Sequence, residues 1–232
     1  MRRYIRLLGT LLAVGGVLML LWSLLVWQWQ DPFTALYTKW KQHQLASQYV
    51  KRAESFKPSI SVDTVAAERA SIAREAKRYR LSSTRGEVLG RLRVPRMGVN
   101  MLLVNGTDHD TLKKGPGRDS RTFMPGENRL VYIAGHRTTY LAPFSHIDRL
   151  RRGDRVTIEV PYGTFIYAVT RHRIVKSTDL SVLRSPRHEL VELQACHPRF
   201  FATHRYIAYA QLLRVEPRGA KPYDVTAQAS AK

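Results

Sequence analysis

From Gly86 onward the chain is a succession of short apolar runs separated by turn residues, and this pattern limits the fold more than any other feature. The segment RVTIEV alternates, with Val156, Ile158 and Val160 on one side and polar residues on the other. A turn at Pro161-Tyr162-Gly163 then leads into TFIYAVTR, which predicts a hairpin. Many short strands with little helix between them are typical of a β-sandwich or a closed barrel.

The remaining apolar runs also have the length and composition of strands. They are VLGRLRV, GVNMLLV, RLVYIAG, HELVELQAC and RYIAYAQLLRV. In the last of these, Tyr206, Ala208 and Ala210 alternate with Ile207 and Tyr209, so both faces of the strand are apolar. The fold class predicted for this part of the chain is therefore all-β.

The domain boundaries follow from changes in composition. The β-rich domain extends over residues 86–216, where the strand pattern is continuous. Residues 217–232 are polar and rich in small side chains, and we expect this tail to be disordered.

The amino terminus carries an apolar run of its own, LLGTLLAVGGVLMLLWSLLVW, over residues 7–27. A helix of about 20 apolar residues is long enough to cross a bilayer. Arg2, Arg3 and Arg6 precede the run and the first charge after it is Asp31, so the positive-inside rule predicts a cytoplasmic amino terminus. A cleaved signal peptide is the alternative, but the run exceeds the usual ~7–15-residue apolar region and no small-residue cleavage site follows. We predict that residues 1–30 form a single-pass anchor in the cell membrane, with the rest of the chain outside.

Two helical stretches lie between this apolar run and the β-rich domain. The first, residues 31–57, ends before Pro58 and has apolar residues at helical spacing. The second is TVAAERASIAREAKRYRL, with Asp63 or Thr64 as its amino-terminal cap. Because neither has a strong apolar stripe, residues 31–85 are predicted to form a helical juxtamembrane spacer that holds the domain off the membrane.

The chain is strongly basic. Its 232 residues include 38 Lys and Arg against 18 Asp and Glu, a net charge of +20. Such a surface attracts polyanions, whether nucleic acid, anionic lipid headgroups or anionic polymers of a cell envelope. The predicted extracellular location excludes nucleic acid as a partner and leaves the membrane and wall polymers.

Cys196 is the only cysteine and lies at the end of an apolar run. Outside a membrane, cysteines normally pair, so an odd one indicates an intermolecular bridge or a reactive thiol. Taken alone, a single cysteine is most often an inert small hydrophobe. Zinc binding with neighbouring histidines is a further alternative, but the spacing CHPRFFATH matches no common paired-ligand motif. We predict no metal and no cofactor.

Two other side chains have the chemistry to work with such a thiol. Arg205 opens the strand after the one that ends at Cys196, so the two residues lie at the same end of the sheet if these strands are antiparallel neighbours. His136 follows LVYIAG where that run opens into a polar loop. In this arrangement the thiolate attacks a carbonyl, the imidazole transfers protons and the guanidinium stabilises an oxyanion. The spacing does not show whether the fold brings His136 to Cys196.

Several segments carry a family resemblance. The stretches GRLRVPRMGV, GTDHDTLKKGPG, YIAGHRTTYLAPFSHIDRLRRGD, VPYGTFIYAV and ACHPRFFATHRYIAYAQL resemble a sortase, most closely the class E group. This resemblance covers roughly residues 86–215 and implies a closed eight-stranded β-barrel, a membrane anchor and cysteine transpeptidation. His136, Cys196 and Arg205 match the catalytic positions of the family.

The resemblance also implies the partners. Sortases act on secreted proteins with a C-terminal LPxTG-like sorting signal, or an LAxTG-like one in class E, which they cleave between Thr and Gly. The acyl group then passes to an amine of a cell-wall precursor or a pilin. Two alternatives remain open at this point: a non-catalytic envelope-binding module built on a sortase-like barrel, and a hydrolase without transpeptidase activity.

One departure from the family pattern concerns the residues that precede the thiol. Sortases usually have Thr-Leu-Thr-Thr-Cys, whereas this chain has Glu-Leu-Gln-Ala-Cys over residues 192–196. The family's last Thr commonly helps to bind the signal or the oxyanion, and Ala195 has no hydroxyl to offer. We expect Ala195 and His197, on either side of the thiol, to line the substrate site.

Overall fold

The structure is a computed structural model that describes residues 2–29, 32–61 and 64–225. Within these ranges the α-helices are α1 (Arg2–Trp29), α2 (Pro32–Ser55), α3 (Val65–Leu81) and α4 (His109–Leu112). The strands are β1 (Val88–Val94), β2 (Val99–Asn105), β3 (Gly117–Arg118), β4 (Leu130–Ala134), β5 (Arg155–Val160), β6 (Gly163–Lys176), β7 (Leu190–His197), β8 (His204–Pro217) and β9 (Tyr223–Asp224). Short 3₁₀ helices occur at Pro95–Met97, Ile147–Arg149 and Leu180–Leu183.

The strands form one sheet in the order β6-β5-β1-β2-β3-β4-β7-β8-β9, and β6 also pairs with β8. That extra pairing closes strands β1 to β8 into a barrel, while β9 lies outside the ring on β8. The closed eight-stranded barrel implied by the family resemblance is therefore confirmed. Closure removes exposed strand edges, which suits a sheet composed of many short strands.

The shortest strand, β3, completes the ring between β2 and β4. It pairs with β2 in parallel and with β4 in antiparallel orientation through only two residues, which is too short to leave a period in the sequence. The chain passes very close to itself here, because a Cβ atom at Gly117 would lie 2.0 Å from the Gly106 carbonyl oxygen. Only glycine fits at this position.

Two apolar layers explain why some strands are apolar on both sides. Ala208 and Ala210 of β8 face the main core inside the barrel. Ile207 and Tyr209, on the opposite side of the same strand, pack in a second cluster with β4 and Val182. The division of β8 into two apolar faces is confirmed, and it arises because the β6–β7 connection covers part of the outer barrel wall.

The second helical stretch forms part of the folded domain. Thr64 caps α3 by accepting a hydrogen bond from the Ala67 N–H. Ile72 and Tyr79 of this helix are buried in the main core, and the Tyr79 hydroxyl donates to the Leu89 carbonyl at 2.9 Å. The helix lies where the pattern predicts it, but it packs on the barrel rather than holding it away from the membrane. Its apolar stripe is narrow and is interrupted in the sequence by Arg and Glu residues, so the sequence does not show that the helix packs on a core.

The first helical stretch also packs on the barrel wall. Leu45 and Tyr49 of α2 are buried against Val88, Leu102 and Val104. Both described helices of the predicted spacer therefore pack on the barrel.

The carboxy-terminal segment differs from the predicted disordered tail of residues 217–232. β8 continues to Pro217, and Tyr223 of β9 pairs with Val215 and packs against the main core. Because Tyr223 alone makes this contact, the average polarity of the segment does not predict it. Residues 226–232 lie outside the described part of the chain.

Helix α1 contains the apolar run. Its segment Arg2–Leu24 has a mean hydropathy of 2.2, and none of it is buried against the rest of the protein. By length and composition this helix is able to cross a membrane.

Candidate active site

Cys196 and Arg205 are directly opposite each other in the antiparallel β7–β8 ladder. Directly opposed residues share one face of a sheet. That face is the outer one, because Leu193 and Ala195 of β7 point into the main core and side chains alternate along a strand. The antiparallel arrangement on which the sequence argument depended is confirmed.

His136 reaches the same rim through a different pairing. β4 and β7 are parallel, with Ala134 opposite Gln194, and the Gly135 N–H continues the ladder by donating to the Gln194 carbonyl at 3.0 Å. Two residues further along each chain are His136 and Cys196. The parallel pairing therefore places the backbones of His136 and Cys196 at the same end of the sheet.

The loop after β4 holds His136 in place. The Phe144 N–H donates to the His136 carbonyl at 3.0 Å, and the Phe144 ring is fully buried. A Cβ atom at Gly135 would lie 2.8 Å from that ring, so glycine is what lets the loop pack this tightly. The glycine directly before His136 in AGHRTTY is therefore required by the packing of Phe144.

The imidazole of His136 lies among aromatic rings. Its centroid is 5.0 Å from the Tyr140 ring and 6.5 Å from the His109 ring. Burial lowers the pKa of His136, and the charge of His109 lowers it further. The Nε2 atom is buried and makes no hydrogen bond to the described residues. Both causes favour the neutral form of the ring at pH 7.

Arg205 is half-buried and anchored at one end of its guanidinium. Its Nη1 donates to the carbonyls of Ala202 and His204, at 2.6 and 3.0 Å. Because both bonds use Nη1, the Nε and Nη2 groups keep their donors for a ligand, as far as the described residues show. The guanidinium is therefore held in place through one of its nitrogens.

Arg137 was not singled out in the sequence, where its only signal is its place directly after His136. It is 6% exposed, and its Nη1 donates to the Cys196 carbonyl at 3.1 Å. The same nitrogen is 2.9 Å from Nδ1 of His197, and Nη2 forms an ion pair with Asp148 at 3.3 Å. Arg137 thus connects the loop that carries His136 to the strand that carries the thiol.

The two residues expected to line the substrate site are placed differently. Ala195 is fully buried in the main core, on the opposite face of β7 from the thiol. His197 is held by Arg137, and strand alternation also directs it away from the Cys196 side. Neither side chain lines the outer surface around Cys196, because residues adjacent in a strand point to opposite faces.

Comparison with known proteins identifies relatives. The sortase domain family matches residues 92–213. Sortase D of Bacillus subtilis is 33% identical over 131 residues, which cover 54% of this chain and 64% of the relative. The chain thus spans less than two thirds of the length of the curated relatives it matches.

Solved structures agree on the fold. A Clostridium perfringens Sortase D5 transpeptidase aligns with a TM-score of 0.60 at 22% identity, covering 75% of this chain and 98% of that one. Sortase E of Streptomyces avermitilis aligns with a TM-score of 0.51 at 30% identity, covering 58% of this chain and 93% of that one. Because the family match extends over more than half of the chain and over the barrel that carries the candidate site, the protein belongs to the sortase family, whose members are cysteine transpeptidases.

Proposed function

We propose that this protein is a membrane-anchored cysteine transpeptidase with Cys196 as nucleophile. The observation that carries the proposal is the strand register at the barrel rim. Cys196 is opposite Arg205 on β8. Gln194, two residues before Cys196 on β7, is opposite Ala134, two residues before His136 on the other chain segment. This register supports the roles that we propose: Cys196 as nucleophile, His136 as proton-transfer group and Arg205 as a fixed cation.

The reaction has two halves. In the first, His136 takes the proton of the Cys196 thiol, the thiolate attacks the scissile carbonyl, and Arg205 donates hydrogen bonds to the oxyanion that forms. The carbon–nitrogen bond then breaks, the protonated form of His136 gives its proton to the leaving amine, and a thioester remains on sulfur. In the second half, an acceptor amine attacks the thioester, His136 takes the amine proton, and the thiolate leaves.

The proposed substrates are secreted proteins with a C-terminal LAxTG- or LPxTG-like signal, cleaved between Thr and Gly. The proposed acceptor is an amine of a cell-wall precursor or a pilin. Membership of the sortase family supports this substrate class, and the class E motifs in the sequence favour the LAxTG form.

An anchored enzyme with an extracellular barrel fits the amino-terminal features. The segment Arg2–Leu24 is unburied and apolar, and basic residues precede its apolar core. In the proposed orientation, the barrel would lie where secreted substrates and wall amines are available.

The non-catalytic alternative loses its main support. The absence of a threonine hydroxyl at Ala195 was the one sequence feature that favoured it. The side chain of Ala195 is on the core side of β7, so a hydroxyl there would not lie beside the thiol.

The test uses the full chain in detergent and fluorogenic peptides with an LAxTG or LPxTG motif. We expect cleavage by the wild-type protein, and a ligated product when an amine acceptor is added. Cys196→Ala should abolish cleavage and labelling by a thiol-reactive probe, whereas the surface variant Arg152→Ala should retain both. Cleavage that persists in Cys196→Ala contradicts the proposal, and hydrolysis without ligation at any amine concentration identifies a hydrolase instead.

A further inference from the structure

A polar groove of about 430 Å³ lies on the outer wall of the barrel, between β6, β7, β8 and the 3₁₀ helix Leu180–Leu183. Its walls carry Arg171, Arg173 and Arg184, and its floor carries Glu192 and Tyr209. We call it the arginine groove. None of these residues belongs to the site proposed for the thiol chemistry.

Its three arginines are open to solvent and make no close ion pair with the described residues. All three are exposed, and among the ion pairs of the described residues none involves them. The Arg171 guanidinium stacks on the Tyr209 ring at 4.1 Å, which fixes its position without neutralising its charge. Guanidinium groups placed in this way bind carboxylates through paired hydrogen bonds.

The floor of the groove holds an unusual acidic residue. Glu192 is 4% exposed, and its Oε2 is buried without a hydrogen-bond partner among the described residues. Burial raises the pKa of Glu192 to about 8, and the charges of Arg171 and Arg173 oppose this shift only in part. At pH 7 the carboxyl group is therefore mainly protonated. In that form it does not repel an anion that binds in the groove.

The arginine groove and the thiol are connected by one strand. Glu192 and Cys196 both lie on β7, four positions apart, so their side chains point to the same outer face. Strand geometry places them about 13 Å apart. An extended polypeptide held at Cys196 therefore reaches the groove within about four residues.

From these observations we infer that the arginine groove is a specificity subsite that binds an acidic side chain of the polypeptide substrate, about four to six residues from the scissile bond. The inference rests on the proposed function, since it assigns part of the same substrate. The groove favours a polypeptide over a wall polymer because it lies on the strand and face that carry the nucleophile.

Binding without turnover tests this assignment. The full-length Cys196→Ala protein is titrated, by fluorescence anisotropy, with labelled peptides that share one sorting motif. They carry Glu, Ala or Lys at positions four to six residues before or after the cleaved bond. On one side of the bond, we expect the Glu peptide to bind about ten-fold more tightly than the Ala peptide, as for a charge-assisted hydrogen bond, and the Lys peptide to bind most weakly.

Matched variants locate the effect. Arg171→Ala combined with Arg173→Ala should remove the preference for Glu, whereas Arg151→Ala combined with Arg152→Ala, which removes the same charge elsewhere, should retain it. Glu192→Gln, which keeps a neutral group of the same shape, should also retain the preference. Thermal unfolding checks that each variant is folded.

Three results overturn the inference. The first is equal affinity for the Glu and Ala peptides. The second is a preference for Glu that survives the loss of Arg171 and Arg173. The third is tight binding of a glycerol-phosphate oligomer that depends on these arginines, without any preference among the peptides. Cleavage of the Ala peptide by the wild-type protein tests the proposed function separately, because that peptide has no acidic group at these positions.

Discussion

Cys196 and Arg205 occupy paired positions of the β7–β8 ladder, so the thiol and the guanidinium emerge from the same side of two hydrogen-bonded strands. Their relative position is fixed by backbone pairing rather than by a flexible loop. Two carbonyls also hold Nη1 of Arg205. This pre-organisation is what an oxyanion donor needs, since no rearrangement is required when the negative charge develops.

Arg205→Ala should therefore lower kcat/KM by about 10²–10³-fold, the usual effect of removing one oxyanion donor. Arg205→Lys should recover only part of this loss, because an ammonium lacks the planar fork that bonds a carbonyl and an oxyanion together. Peptide cleavage kinetics measure both variants. Labelling of Cys196 by a thiol-reactive probe serves as a control for a folded, accessible thiol, and full activity in Arg205→Ala contradicts the assigned role.

Arg137 gives a second prediction, as a positioning residue. Its guanidinium holds the carbonyl of Cys196 itself and the His197 ring, so its loss loosens the strand end that carries the nucleophile. Arg137→Ala should lower kcat by about ten-fold or more, with KM changed less, because misplacement of reacting groups affects the chemical step. Arg137→Lys should rescue little, and Arg152→Ala serves as the matched control. An unchanged kcat, or a loss confined to KM, disagrees with this role.

A third prediction concerns His136, the residue proposed to transfer protons. Burial and then the charge of His109 lower the pKa of His136. The variant His109→Gln removes the charge of His109 and should therefore raise the pKa of His136 towards its ordinary value of 6.5. NMR titration of a ring proton of His136 measures this change. The variant His188→Gln, in the β6–β7 connection, should leave that titration unchanged, because His188 is not among the charges that shift the pKa of His136. A shift to lower pH in His109→Gln is incompatible with this electrostatic explanation.

Much of the barrel was predictable from its longer strands. In some of them apolar and polar residues alternate, and in others both faces are apolar, and either pattern is visible in the sequence. Cys196 and Arg205 flank one short connection, so their proximity needed only the assumption of an antiparallel pair. His136 was different: it depends on the parallel pairing of β4 with β7, a long-range contact that leaves no local pattern. Ala195 precedes the thiol in the sequence, but neighbouring residues of a strand point to opposite faces, so its side chain lies in the core instead of at the site.

The packing of α3 leads to a fourth prediction. Ile72 is 2% exposed and lies in the main core, although its helix reads as a polar spacer. Ile72→Ala should lower the free energy of unfolding by about 2–5 kcal/mol, the usual cost of truncating a buried aliphatic side chain. Chemical denaturation measures this change. Ala70→Gly, at a more exposed position of the same helix, controls for helix propensity and should cost about 1 kcal/mol. Equal effects of the two substitutions contradict a core role for α3.

The final prediction concerns stability at alkaline pH. Burial raises the pKa of Glu192 from 4.5 to about 8, against the opposing charges of Arg171 and Arg173, and the hydroxyls of Tyr132 and Tyr209 lie near it. A raised folded-state pKa means that the folded protein binds the proton more tightly than the unfolded chain does. The stability that this proton provides is therefore fully present below pH 4.5 and is lost as the pH rises to about 8.

Glu192→Gln keeps the shape of the protonated carboxyl group but cannot ionise. The variant and the wild type should have similar free energies of unfolding near pH 4.5, and the variant should become the more stable by on the order of a few kcal/mol above pH 8. Urea denaturation across this range measures the difference. Glu189 also has a raised pKa, of about 7, but it is present in both proteins and cancels in the comparison. Parallel stability curves for the two proteins would show that Glu192 ionises as readily in the folded state as in the unfolded chain.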